Sequence, residues 1–336
     1  DKDAVLAGIK QTMHNYANTQ VTDVVIPTNF QYSFSDSDVM EDVDDKWNAA
    51  TTWASVSNGA ALDFSKTMVE VFHKIIYDYN IDVYREWFTQ LEKDNINGWI
   101  SIRMNDIHDY KQLNGQRNSL FNYTAYDKGL TVGSHLGGDY QGAYGCLNYS
   151  KEEVYNRYIK YIEEQVTRYG DIIDGVELDF QREAFCFAPG EEENGRTIMT
   201  KFLREVKAIA DKTGKGIQVS VRVPRDLTQC YDSGFDVLEW AKEGLINTVT
   251  VSTRNATCDT DMPIASWVKI FDKYGVKINA GTEILYRSAG NKSYAREANL
   301  ENDYALAAQY LSEGADKMYY FNHYTTWIEG NNQPFD

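Results

Sequence analysis

Nothing in this sequence approaches the eighteen or so uninterrupted apolar residues that a membrane helix needs, so a soluble protein without membrane insertion is expected. Positive charge is also scarce: 33 Lys and Arg stand against 50 Asp and Glu, a net charge of -17. Phosphate backbones and anionic lipid surfaces demand clustered cations, so nucleic acid is not an expected partner. Four cysteines, Cys146, Cys186, Cys230 and Cys258, lie far apart without CxxC or His-rich spacing. That spacing argues against a zinc site and leaves their pairing open. No metal and no cofactor is expected. No internal repeat, low-complexity tract or Pro-rich linker divides the 336 residues, so the expected organisation is one domain, 1–336, with an insertion at about 30–95. The chain opens at Asp1 rather than methionine, which is the expectation for a trimmed, secreted or cell-surface protein, bacterial in origin.

What is present is ordinary for a folded domain, with 43% hydrophobic and 25% charged residues. Tyrosine (24) and tryptophan (7) suit stacking on sugars, although large folds use them as packing too. From about residue 96, apolar β-rich runs alternate with amphipathic helical stretches, the pattern of parallel strands linked by helices. Strands are predicted at Gly98–Arg103, Leu130–Ser134, Gly175–Phe180, Gly216–Val223, Asn247–Ser252, Val276–Thr282 and Lys317–Phe321. Val21–Pro27, after a short helix Ala4–Tyr16, supplies an eighth. The fold class is therefore α/β, a (β/α)8 TIM barrel with an elaborated first βα loop that holds a helical run from Phe64 to Tyr79. Ser150 and Glu153 have capping-box spacing ahead of Val154, Tyr158, Ile159, Ile162 and Val166.

Strand side chains alternate, and in a barrel one set enters the lumen. In Gly175–Arg182 the apolar Val176, Leu178 and Phe180 face the helices, so Glu177, Asp179 and Gln181 point inward. The same parity sends Ser101, Arg103 and Asn105, then Gln218, Ser220 and Arg222, then Asn279 and Glu283 inward, and Asn322 closes the ring. Isolated charges there would cost several kcal/mol. Glu177, Asp179 and Glu283 can be compensated by forked contacts from Arg103, Arg222 and Arg182. A buried structural ion-pair network is one reading. The other is catalysis, because these residues lie at or near strand tops, where barrel enzymes place their chemistry.

Breaking a glycosidic bond needs a proton donor for the leaving oxygen and a group that activates water or attacks the anomeric carbon. Glu177, Asp179, Glu283 and His108 are the catalytic candidates, His108 as a base in the loop leaving the second strand. Arg103, Asn105, Arg182, Arg222 and Asn322 are the substrate-binding candidates. Several guanidiniums suit a substrate carboxylate, hence an acidic sugar such as a sialic or uronic acid. Arg103 and Arg222 merely neutralising Glu177 and Asp179 is the competing reading.

The segments SIRMNDIH, LNYSKEEVYNRYIKYIEEQ, DGVELDFQRE and DVLEWAKEGLI resemble a glycoside-hydrolase-like barrel group with R-M-N-D-x-H on the second strand and D-G-x-E-L-D-F-x-R on the fourth. The resemblance runs from about Gly98 to Trp327 and implies a carbohydrate-active barrel with a glycan or glycoconjugate substrate. More distantly the chain is similar to the inverting exo-sialidases of glycoside hydrolase family 156. That likeness implies Arg103, Arg182 or Arg222 and Asn322 around the sugar carboxylate and His108 as base, with a partner aspartate near the first strand. Asp23 lies too early in its strand for that part. Chitinase-like barrels read D-G-x-D-x-D-x-E on the fourth strand, and here the final acid is Gln181, which cannot donate that proton. The leading expectation is an exo-acting, inverting, sialidase-like glycosidase. The alternatives are a retaining glycosidase on a neutral glycan using Glu177 and Glu283, and a non-catalytic carbohydrate-binding barrel.

Overall fold

The computed structural model describes residues 1–48, 68–108, 119–133, 145–253, 259–283, 285–287, 295–297 and 299–323. The strands in chain order are β1 (Asp23–Pro27), β2 (Asn97–Arg103), β3 (Gly175–Asp179), β4 (Gln218–Val223), β5 (Thr248–Ser252), β6 (Lys277–Glu283), β7 (Leu285–Arg287), β8 (Ala295–Glu297) and β9 (Lys317–Phe321). β7 and β8 form a separate antiparallel pair. The other seven make one sheet in the order β1-β2-β3-β4-β5-β6-β9, parallel at every step.

Among the described residues that sheet has seven strands where eight were expected, and the difference lies at Leu130–Ser134, of which Ser134 falls outside the described residues. β2 pairs directly with β3, Trp99 against Gly175 through Arg103 against Asp179, so no strand lies between them. Within the expected strand, Val132 N–H donates to Cys146 O and Leu130 O accepts from Asn148 N–H, an antiparallel bridge between loop segments. Leu130 and Val132 are buried by this local pairing, so their apolar character is satisfied without joining the sheet. The sheet curls until its edges face each other. Lys317 at the start of β9 pairs with Asp23 at the start of β1, and Tyr319 of β9 reaches Glu177 of β3 across the interior. A cavity of about 80 Å³ separates the two edges, lined by Val25 and Pro27 on one side and Tyr319, Phe321 and Asn322 on the other.

Alternation in the strands sorts the side chains. Ile100, Ile102, Val176, Leu178, Val219, Val221, Val249, Val251 and Ile278 are buried on the outer face. There they join Met199, Phe202, Leu203 and Val206 of the helix Glu192–Lys212 in one apolar core. Each such side chain contributes about 1.5–3 kcal/mol on leaving water. At the lower end of the lumen Trp99 lies over Gly175, where a Cβ would stand 2.1 Å from the indole ring. The indole nitrogen donates to Asp23, so that carboxylate is a floor residue.

The helix Glu152–Tyr169 buries Val154, Tyr158, Ile162 and Val166 as its spacing predicts. It is not opened by a capping box. Lys151 is the N-cap residue without a side-chain bond, because the Ser150 hydroxyl donates to Glu191 instead. Glu152 and Glu153 in the first turn complement the helix dipole. The helical run read from Phe64 onward falls partly outside the described residues; residues 68–73 are helical and continue as a π-helical segment, Lys74–Asp78. The chain then returns to β2 through the helix Val83–Lys93.

Candidate active site

Inside the sheet the polar residues stack in two layers. The lower one centres on Glu177, whose Oε1 accepts from the Ser101 hydroxyl at 2.8 Å and from the Tyr319 hydroxyl at 3.1 Å. Burial, together with the nearby charge of Asp179, pushes this carboxyl up to about 7 against the opposing pull of Arg222 and the two hydroxyls. One layer higher, Arg222 grips Asp179 with a fork, Nε to Oδ1 at 2.9 Å and Nη2 to Oδ2 at 3.0 Å. Its Nη1 donates to Ser252 Oγ, and the Phe321 ring covers its guanidinium at 3.7 Å. Arg222 and Asp179 are 1% and 2% exposed, so this pair is a sealed element of the interior.

Above that pair the loops leaving β1, β2 and β3 meet. Asn29 fastens the end of β2: its Oδ1 accepts from Arg103 N–H at 3.0 Å and its Nδ2 donates to Arg103 O at 3.1 Å. Arg103 lies over the Phe30 ring at 4.3 Å and donates to Asp106 Oδ2 at 2.8 Å. The other oxygen of Asp106 accepts from the backbone N–H of His108 at 2.9 Å and meets its ring Nδ1 at 2.6 Å. Burial alone would raise the Asp106 carboxyl, but the His108 hydrogen bond and the charges of His108, Arg103 and Arg182 hold it well below the usual carboxylate range.

The far nitrogen of His108, Nε2, lies 2.9 Å from Arg182 Nη2. A guanidinium only donates, so Nε2 is the acceptor and the proton of the neutral ring resides on Nδ1, facing Asp106. Asp179 Oδ1 accepts the backbone N–H groups of Gln181 and Arg182, which ties this turn to the buried layer below. The next residue, Glu183, is buried. Burial, opposed by Arg182 and Arg103 and reinforced by Asp106 and Asp179, pushes its carboxyl up to about 8. The cluster therefore pairs an oriented imidazole with a carboxyl that keeps its proton at neutral pH.

The remaining candidates have other surroundings. Asn105 spends its amide on the backbone, donating to Phe185 O at 2.9 Å and Leu147 O at 3.3 Å and accepting from Leu147 N–H at 2.8 Å. Glu283 at the end of β6 accepts from Asn322 Nδ2 at 3.2 Å. Asn322 itself sits in the left-handed region at φ 59° and lines the inter-edge cavity with Arg103 and Asp179. Gln181 donates to Ser252 O at 2.9 Å. Cys146, Cys186 and Cys230 are buried, and Cys258 lies outside the described residues. Among the described residues no cluster of His, Cys, Asp and Glu is arranged to hold a metal ion.

Asp106, Glu183, Tyr319 and Phe30 are site residues that the reading of the sequence did not select. Asp106 and Glu183 lie beyond the ends of β2 and β3, where alternation stops predicting direction. A sequence signal did exist for one of them, since an acid two residues before a loop histidine is within reach of its Nδ1. Tyr319 is inward by the same parity that was applied to β3, but a tyrosine in MYYF reads as packing.

No protein-family model and no curated protein matches the sequence. Among solved structures, the chain is similar to a Bacteroides thetaiotaomicron protein assigned as an alpha-L-fucosidase, with 10% identity and a TM-score of 0.49 over 96% of this chain and 79% of that one. It is similar to the glycoside hydrolase domain of PelA from Pseudomonas aeruginosa, with 15% identity and a TM-score of 0.43 over 70% and 82%. It is also similar to the second catalytic domain of the group II chitinase of Ostrinia furnacalis, with 10% identity and a TM-score of 0.37 over 68% and 56%.

Proposed function

We propose that the protein is a glycoside hydrolase that removes an acidic terminal sugar with inversion, using His108 as base and Glu183 as acid. The observation that carries this reading is the Asp106–His108 pair, 2.6 Å apart, set beside a buried carboxyl with a raised pKa. Asp106 fixes the tautomer that turns a lone pair outward at Nε2 and stabilises the imidazolium that forms when water gives up its proton. Water oxygen then bonds to the anomeric carbon as the glycosidic bond breaks. The departing oxygen takes the proton of Glu183, so one proton is gained at His108 and one lost at Glu183 in each turnover.

The acidic-sugar part rests on Arg182. Arg103 and Arg222 are buried whereas Arg182, beside His108, is half-buried, so Arg182 is the most accessible of the three guanidiniums to a substrate carboxylate. Glu177 and Glu283, the pair required by a retaining mechanism, are engaged with other side chains, Glu177 with Ser101 and Tyr319 and Glu283 with Asn322.

The test is hydrolysis of an aryl sialoside, an aryl uronide and neutral aryl glycosides by wild type, His108→Ala and Glu183→Gln. Turnover of an acidic substrate is expected in wild type and lost in His108→Ala. Glu183→Gln should retain activity on glycosides with strongly activated leaving groups, which need no proton. Turnover of neutral glycosides alone rejects the acidic-sugar assignment, and calorimetric glycan binding without any turnover marks a carbohydrate-binding barrel instead.

A further inference from the structure

We infer that Gln31 is a positioning residue for His108: a rigid turn after β1 presents its amide to the His108 carbonyl and so fixes where the imidazole meets Asp106. This rests on the reading of His108 as the base. Asp106 alone does not fix the ring, because the backbone N–H of His108 at 2.9 Å and its ring Nδ1 at 2.6 Å converge on one atom, Oδ1. Two contacts with a single atom set distances and leave rotation about that atom open. Arg182 adds a contact at Nε2. The main chain gains its second fixed point at the His108 carbonyl, which accepts from Gln31 Nε2 at 2.6 Å.

The turn that carries Gln31 is held from several sides. Asn29 and Ser33 bridge antiparallel across it, and Phe34 N–H donates to Thr28 O. Tyr161, from the helix Glu152–Tyr169, donates to Thr28 O at 3.0 Å and lies 3.0 Å from the Ser33 hydroxyl. Three consecutive residues of the turn then reach the segment leaving β2. Asn29 holds the Arg103 main chain, Phe30 lies against the Arg103 guanidinium and the His108 ring, and Gln31 takes the His108 carbonyl. A carbonyl only accepts, so the amide nitrogen of Gln31 must face it and Oε1 is turned away. Gln31 is 2% exposed, and among the described residues that oxygen has no hydrogen-bond partner. A buried acceptor left unmet costs stability, so the fold alone does not account for an amide at this position. Holding the base in register with Asp106 does.

Proton and nitrogen-15 NMR of the His108 ring in wild type and Gln31→Leu tests this, since leucine keeps apolar bulk and removes the donor. In wild type the Nδ1 proton is expected to be protected from water, with ring shifts of the Nδ1–H tautomer. In Gln31→Leu it should exchange on the order of tenfold faster, and the ring shifts should move toward a mixture of tautomers. Gly175→Ala, which disturbs packing at the floor of the lumen, should leave both unchanged, so a general loss of stability does not imitate the effect. On an acidic aryl glycoside Gln31→Leu should lose kcat on the order of 10- to 100-fold with KM little changed. An unchanged Nδ1 proton in folded Gln31→Leu, or the same change in Gly175→Ala, overturns the proposal. If Gln31→Leu does not fold, Gln31→Asn, its amide short by one methylene, is judged by the same two results. In wild type itself a scalar coupling is expected across the bond from Gln31 Nε2 to the His108 carbonyl carbon, and its absence also overturns the proposal. An Nδ1 proton that depends on Gln31, without hydrolysis of any glycoside, keeps the positioning role and removes the glycosidase reading. Hydrolysis that His108→Ala abolishes, with an Nδ1 proton indifferent to Gln31, does the reverse.

Discussion

Replacing Arg222 by methionine tests whether that guanidinium belongs to the interior or to the substrate. The substitution keeps an unbranched apolar stem and removes the guanidinium with its three hydrogen bonds, two to Asp179 and one to Ser252 Oγ. Asp179, 2% exposed, would keep only the backbone N–H bonds of Gln181 and Arg182. Removing one partner of a buried pair costs about 3–5 kcal/mol, against the roughly 5–15 kcal/mol that holds an ordinary domain together. Urea unfolding followed by fluorescence and circular dichroism should show that loss as a lower midpoint. Adding Asp179→Asn to Arg222→Met should recover most of it, since the neutral amide oxygen still accepts from the backbone while no charge is left unpaired. Arg222→Met with wild-type stability and a lost affinity for anionic sugars would refute the reasoning and make Arg222 a ligand group.

Other perturbations reach different parts of the account. Gly175→Ala places a methyl 2.1 Å from the Trp99 ring, so thermal unfolding should report a loss of about 1–3 kcal/mol or more; an unchanged melting temperature contradicts the packing described. Glu177 has an ordinary value of 4.5 and a folded value near 7, so its proton is bound more tightly in the fold. Its contribution to stability is complete below about pH 4.5 and is lost as pH rises through 7. Glu177→Gln should remove a slope worth on the order of 3 kcal/mol from urea midpoints measured across that window, and an unaltered slope counts against the raised carboxyl. Asp106→Asn no longer fixes the Nδ1–H tautomer of His108, and kcat on an acidic aryl glycoside should fall on the order of 10²–10⁴-fold with KM little changed. Undiminished kcat would remove Asp106 from the mechanism.

The interior was legible from the chain because period-two alternation in β3 and β4 separates Val176, Leu178, Val219 and Val221 from Glu177, Asp179, Ser220 and Arg222 without any tertiary knowledge. What alternation cannot supply is partner choice. Arg222 and Asp179 are neighbours by register, whereas Arg103, opposite Asp179 in the next strand, turns to Asp106 in its own loop. Leu130–Ser134 misled because a short apolar run has the same composition whether it enters a sheet or bridges two loops. The Ser150 cap misled for a similar reason: Glu191, distant in sequence, takes the hydroxyl that a local rule assigns to the helix. Asp106 and Glu183 lie past the last hydrogen-bonded residues of their strands, where loop geometry and not strand parity decides what faces the mouth.

The most direct measurement is proton NMR of the sugar released in the first minutes of hydrolysis of an acidic aryl glycoside by the wild-type protein. An imidazole base that delivers water in one step predicts the inverted anomer, followed by slow mutarotation. First release of the retained anomer would contradict the assignment of His108 and Glu183, and no release from any acidic glycoside while neutral ones are cleaved would contradict the acidic-sugar assignment.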